Sequence, residues 1–252
     1  MQKHIIKAIT KDYKNGCSLR KLRDKYGYEI NTLHYNLKKK NVLRTIKIVR
    51  SVRNNSLLIG LFIGLWAGDG SKFREKWMYT VKIHLNKNDK ELIKLIKKLM
   101  LRLFDINVNL STEKNNNKGT IRFRSRFIYD FIDLYLSYKE YKTLTVRLKN
   151  VNKYPKNFLR GFLLGATLSD GYIKKRFVYT SISKNLIRDI DLILKKFNYN
   201  AAVYKQDNHR KHRLYNLVLN PSQTVNFKDF LNKVIRECNS NKSIEQLKGY
   251  NQ

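Results

Sequence analysis

LLIGLFIGLWAGDG (Leu57–Gly70) and FLRGFLLGATLSDG (Phe158–Gly171) are two versions of one segment, and their pairing decides how the chain folds. Gly60 and Gly161, Gly64 and Gly165, Asp69 and Asp170, and Gly70 and Gly171 all stand at the same offset of 101 residues. In the first copy Gly60, Gly64 and Gly68 form one stripe along a helix, and Gly161, Gly165 and Ser169 occupy the matching stripe in the second. A glycine inside a helix costs roughly 1 kcal/mol against alanine. A stripe of them therefore points to close backbone approach of two helices. Because the stripes are equivalent by repetition, the simplest partner of each is the other. The two helices then cross about a pseudo-two-fold axis, with Gly70 and Gly171 as C-caps.

The repeat extends beyond the glycines. Tyr79-Thr80 is answered by Tyr179-Thr180, and IHLNKNDKELIKLIKKL by SISKNLIRDIDLILKKF. Each copy reads helix, two strands, helix, two strands, helix, so the fold class is α+β with two tandem αββαββα units. Trp77–Leu85 alternates, with Trp77, Tyr79, Val81, Ile83 and Leu85 on one face and Thr80, Lys82 and His84 on the other. Over Ile121–Phe127, Ile121, Phe123 and Phe127 point inward while Arg122, Arg124 and Arg126 point outward. One face of such a sheet is core and the other is a dock for a polyanion. Lys205, Arg210, Lys211 and Arg213 surround the last hairpin of the second copy.

Ahead of the repeats the chain reads as short helices. Ile5, Ile6, Ile9 and Tyr13 share one helix face, and Asn15-Gly16 stops that helix. Ser18 caps a second helix carrying Leu19, Leu22 and Tyr26. Gly27 makes a turn, and a third helix runs from about Asn31 through Leu33 and Leu37 to Lys40. This is the pattern of a helix-turn-helix, and it resembles that of resolvase-like DNA-binding domains. The resemblance implies that Asn31, Thr32, His34, Tyr35 and Lys38 face the major groove. The organisation is therefore a helix-turn-helix domain at 1–47, a basic linker at 48–56, and repeat units at 57–156 and 157–252.

Charge narrows the partner. The chain has 53 Lys+Arg against 19 Asp+Glu, a net +34 over 252 residues. So large an excess repels itself and calls for a polyanion. A hydrophobic content of 42% is too high for a disordered basic tail. Cys17 and Cys238 are the only cysteines, too few for a disulfide framework or a cysteine-built zinc site. The longest apolar run, Leu57–Gly68, is too short to span a bilayer, and no signal peptide is visible. An intracellular nucleic-acid-binding protein fits, with an anionic membrane surface a distant second.

Against that background Asp69 and Asp170 stand out. A carboxylate at a helix C-terminus meets partial negative charge already there, and crossing the two helices brings both carboxylates together. Divalent metal resolves the conflict: Mg²⁺ suits one or two carboxylates plus substrate phosphate oxygens. Such ions can activate water and stabilise the leaving oxygen of a phosphodiester.

Phe62–Gly70 (FIGLWAGDG) and Leu163–Gly171 (LLGATLSDG) resemble the two motifs of LAGLIDADG homing endonucleases, over roughly residues 57 to 238. The resemblance implies a single-chain, pseudo-symmetric and monomeric enzyme whose antiparallel sheets form a saddle on double-stranded DNA, with a long asymmetric target. It implies that Asp69 and Asp170, with the backbone of Gly68 and Ser169, hold Mg²⁺, for which Mn²⁺ substitutes. It further implies a lysine near the metal-bound water, for which Lys87 and Lys184 are the candidates. The motif's earlier acidic position is Ala67 in one copy and Leu168 in the other, a position that varies in the family. Two alternatives share the fold. One is an RNA-splicing maturase on intron RNA; the other is a transcription regulator, a class that typically lacks the metal-binding acids retained here.

Overall fold

The computed structural model describes residues 2–14, 17, 19–40, 55–112, 116–206 and 212–240. The Asn15-Gly16 stop, the Ser18 cap, most of the linker, Arg210, Lys211 and residues 241–252 lie outside the described residues. Contacts divide the chain into two compact units, Met1–Thr45 and Ile46–Gln252.

The first unit contains α1 (Lys3–Lys14), α2 (Leu19–Tyr26) and α3 (Ile30–Lys39). Ile9, Leu22, Leu33 and Leu37 form its small core. Asp12 ties α1 to α2 by accepting hydrogen bonds from Lys25 Nζ and Tyr26 Oη, both at 2.7 Å. Between α2 and α3, Gly27 sits at φ +71°, a left-handed conformation that glycine adopts without steric cost.

The second unit runs α4 (Ser56–Asp69), β1 (Gly70–Glu75), β2 (Met78–Asn86), α5 (Lys90–Phe104), β3 (Leu110–Thr112), β4 (Lys118–Arg124) and α6 (Arg126–Tyr135). A connector follows, with β5 (Leu136–Ser137), α7 (Lys142–Thr145) and β6 (Arg147–Leu148). The pattern then repeats as α8 (Lys156–Asp170), β7 (Gly171–Ile173), β8 (Phe177–Ser181), α9 (Lys184–Lys196), β9 (Ala201–Gln206), β10 (Leu214–Leu219) and α10 (Pro221–Asn239). Each copy builds one antiparallel four-stranded sheet, ordered β1-β2-β4-β3 in the first and β7-β8-β10-β9 in the second.

α4 is buried continuously from Leu57 to Ala67. A helix apolar on every side has no solvent face and belongs in the centre of a core. Its partner is α8, and the glycines set the spacing. A Cβ on Gly60 would collide with the carbonyl oxygen of Phe158, and one on Gly64 with that of Phe162. The reverse also holds: Gly161 abuts the carbonyl of Leu57, and Gly165 that of Leu61, with Leu65 N only 2.6 Å from the added carbon. The two glycine stripes thus face each other as their repetition implies.

The connector lies against the second copy. Ser183 Oγ donates to Val146 O at 2.7 Å, and buried Asp189 accepts from Leu148 N at 2.7 Å. Burial pushes the Asp189 carboxyl up to about 6, against the lowering pull of that N–H and of Arg147.

Several details differ from the sequence reading. β2 begins at Met78, and Trp77 lies in the preceding turn at 89% exposure instead of facing the core. Thr80, assigned to the open face, is fully buried. β4 ends at Arg124, because Ser125 accepts from Ile128 N and starts α6. Arg126 and Phe127 are therefore the first residues of a helix and not a strand face. Downstream of the motifs the copies slip in register: Gly70 pairs with Ile83, whereas Gly171 pairs with Tyr179. The second hairpin is shorter, so Tyr179 corresponds to Ile83 and not to Tyr79.

Because the glycine stripe determines the interhelical distance, Gly64→Ala or Gly165→Ala should each destabilise the chain by on the order of 3 kcal/mol or prevent folding. Chemical denaturation would measure it. A surface change such as Lys195→Ala should stay within about 0.5 kcal/mol.

Candidate active site

α4 and α8 end together at Asp69 and Asp170. The N–H of Gly70 donates to Trp66 O and that of Gly171 to Thr167 O, which closes each helix. Both glycines are the C-caps expected from the sequence, in extended conformation at φ −83° and −90°. Glycine is needed there for space. A Cβ on Gly70 would enter the Trp66 ring, and one on Gly171 would come within 2.6 Å of Thr167 O.

At the crossing Gly68 faces the second copy, and a Cβ on it would lie 2.7 Å from Asp170 Oδ2. Asp69 and Asp170 are both half-buried, each beside the other's helix end. Burial, followed by the repulsion of Asp170, pushes the Asp69 carboxyl up to about 7. Burial likewise raises Asp170, while Lys142 and Tyr179 pull it down.

Lys142, the first residue of α7, supplies the opposing charge. Its ammonium donates to three carbonyls at the end of α4: Trp66 O at 2.9 Å, Gly68 O at 2.7 Å and Gly70 O at 2.6 Å. An ammonium has three N–H donors, and all three are engaged. It also lies 4.8 Å from the Trp66 ring centroid. Burial lowers Lys142 to about 8, although both aspartates favour its charged form. The cation offsets the helix C-terminus and the two carboxylates at once.

The surroundings of the two aspartates differ. Tyr179, fully buried, directs its hydroxyl at Asp170 Oδ2 at 3.4 Å. The corresponding position beside Asp69 holds Ile83, which has no polar group.

Lys87 and Lys184 both follow the second strand of their copy, at positions that do not correspond. Lys87 follows β2, its backbone N–H bonded to Asn117 O at 2.9 Å. Lys184 is the exposed first residue of α9. The N-caps Asp89 and Ser183 correspond, so Lys184 answers Lys90. The lysine whose charge acts on both aspartates is Lys142. Nothing in the YKEYKTLT context distinguishes it from the other lysines; only the folded connector delivers it.

The open face of the first sheet carries Lys82 opposite Arg122, and His84 opposite Thr120, in the β2–β4 register. His84 is held on both ring nitrogens, by Ser71 Oγ at 3.0 Å and Thr120 Oγ1 at 3.3 Å. Arg124 ends β4 on the same face, whereas Arg126 opens α6 and pairs with Asp130 at 3.5 Å. In the second sheet Lys205 lies opposite Tyr215, on the side of the core residue Leu217, and Arg213 precedes β10. That sheet's open side instead offers Thr180, Tyr204, Gln206 and Asn216. Asn31, Thr32, His34, Tyr35 and Lys38 are all exposed on α3.

Among the described residues no helix is long and apolar enough to cross a membrane, and no three His, Cys, Asp or Glu side chains cluster as a metal cage. The family model of the LAGLIDADG-like domain matches twice, at residues 56–153 and 157–234. No curated protein matches the chain. Solved structures do: mesophilic variants of the homing endonuclease I-DmoI align with a TM-score of 0.56 at 18% identity, covering 71% of this chain and 97% of that one. The same endonuclease in complex with DNA and Mn gives identical figures. One of its variants, in complex with target DNA in the presence of Mg, has a TM-score of 0.54 at 16% identity. At these identities the likeness establishes the fold.

The packing of the aspartates has a direct readout. In the metal-free protein, carbon-detected NMR should find the Asp69 carboxyl titrating near 7, and Lys142→Met should raise its midpoint further. A midpoint in the ordinary carboxylate range would show that Asp69 is not buried at the crossing of the two helices.

Proposed function

The chain belongs to the family of LAGLIDADG-like domains, and from that premise we propose that it is a site-specific endonuclease hydrolysing phosphodiesters of double-stranded DNA with divalent metal. The observation that carries the reading is the convergence of Asp69 and Asp170 at two glycine-packed helix ends, under the ammonium of Lys142. A structural pair of like charges at that place would be costly without a cationic ligand.

The donor set fits Mg²⁺. Two carboxylates, raised above their ordinary range chiefly by burial, are hard oxygen ligands at a half-open site. Asp69 and Asp170, with the backbone of Gly68 and Ser169, are the residues that would hold the ion, although Gly68 O also accepts from Lys142. Divalent metal bound there activates water and neutralises the leaving oxygen.

The chain's own residues do the rest. Asp69 and Asp170, one from each copy, place the reaction at the packed ends of α4 and α8, where β1 and β7 begin. Lys142 acts by its charge, because all three of its N–H donors are spent on helix carbonyls; it favours the negative charge that accumulates on phosphate. Lys82, Arg122 and Arg124 take backbone phosphates and base edges on the open face of the first sheet. The second sheet presents mainly neutral polar groups, so the two halves of the target need not be alike. Both acids come from one chain, which suits a monomer. The α2–α3 segment serves as a helix-turn-helix that lengthens the contact through Asn31, Thr32, His34, Tyr35 and Lys38.

Asp69→Asn and Asp170→Asn should each reduce Mg²⁺-dependent double-strand cleavage at least a thousandfold while DNA affinity changes little; plasmid linearisation and a gel-shift assay measure the two. A mutant with undiminished cleavage would defeat the shared-acid mechanism. Cleavage lost at the intronless host locus, with tight binding to intron RNA, would favour a maturase. Deleting residues 1–47 should shorten the footprint on DNA while leaving cleavage chemistry in place. An unchanged footprint would remove the N-terminal helices from the reading surface.

A further inference from the structure

The β1–β2 hairpin presents an arrangement that the cleavage site does not use. Trp77 stands at its tip, 89% exposed, one of two tryptophans in the chain; the other, Trp66, is fully buried. The tip is well defined. Glu75 pairs with Met78, Lys76 takes a left-handed φ of +48°, and Arg74 Nε donates to Lys76 O at 3.3 Å. Behind Trp77 lies an open cleft of about 580 Å³ that Arg74, Tyr79, Arg124 and Arg126 also line, within the size range of small-ligand clefts.

Its charges are unusual. The guanidinium carbons of Arg74 and Arg126 both approach the Tyr79 ring, at 5.2 Å and 5.4 Å from its centroid. Arg124 adds a third cation. Against them stand Asp130, at 3.5 Å from Arg126 Nε, and Glu75 on the strand beside Arg74. Three guanidinium groups gathered around one cleft lower their mutual repulsion when an anion enters it. A flat, exposed indole next to an anion site matches the two halves of a nucleotide: a base with a π face and a phosphate.

We propose that this hairpin is a nucleotide-stacking site, where Trp77 lies against a nucleobase and Arg74, Arg124 and Arg126 hold the adjoining phosphate. The site rests on the reading of DNA as substrate and adds to it a base contact made by stacking. The second copy lacks it: the β7–β8 hairpin carries Lys174, Lys175 and Arg176 at its tip and no tryptophan. The tryptophan belongs to the first hairpin alone; the exposed aromatic of the second is Tyr172, with Lys174 Nζ 5.4 Å from its ring centroid.

The two tryptophans make the test direct, since only Trp77 is open to a quencher. In the full-length protein, acrylamide should quench Trp77, and saturation with oligo(dT) or with a mixed-sequence duplex should both dim that emission and block the quencher. Trp77→Ala should weaken oligo(dT) binding about tenfold; Trp77→Phe should restore most of it and Trp77→Leu should not. DNA bound by gel shift with Trp77 still fully accessible to acrylamide would overturn the site. So would Trp77→Leu binding as well as the unaltered protein. A full chain that binds neither probe would instead defeat the DNA reading on which the site rests.

Discussion

Everything in the second unit depends on the distance between α4 and α8. Gly60, Gly64, Gly161 and Gly165 leave no room for a Cβ, and each lies against a carbonyl of the facing helix. Backbone-to-backbone packing of this kind has almost no slack, because carbonyls and Cα atoms cannot rotate away as side chains can. It fixes where each helix ends, and the ends carry Asp69 and Asp170. The two carboxylates thus belong to the last turn of a packing motif.

That packing creates an electrostatic problem which the connector answers. Burial raises both carboxylates at the two helix C-termini, and the charge of Asp170 adds to the rise of Asp69 to about 7. Lys142 arrives from α7, in the connector that closes the first repeat unit, and donates to Trp66 O, Gly68 O and Gly70 O where α4 ends. A symmetric pair of repeats therefore acquires an asymmetric site. Lys142 is supplied once, and a phenol beside Asp170 has isoleucine as its counterpart beside Asp69. The same asymmetry recurs on the sheets, where Lys82, Arg122 and Arg124 have mostly uncharged counterparts.

How much was legible beforehand depended on the range of the interaction that decided each feature. The αββαββα order followed from periodicity, because a helix or strand buries one face by a local rule. The Trp77 and Arg126 positions did not, since alternation continues past the point where a strand stops. Ser125 and the two-residue turn at Lys76–Trp77 set those ends, and each is a hydrogen-bonding decision made by a few atoms. The correspondence of the copies beyond the motifs is decided in the same way: the second hairpin is shorter, and the N-caps Asp89 and Ser183 restore the register.

By itself the sequence determined the repeat, the facing glycine stripes and the identity of the two acids, because those are encoded as local spacing and residue size. The tertiary structure alone decided which lysine joins them, which aspartate receives the tyrosine hydroxyl and which arginines share the cleft behind Trp77. These are meetings of residues far apart in the chain, and a Coulomb or hydrogen-bond partner is chosen by distance in space, which no periodicity records.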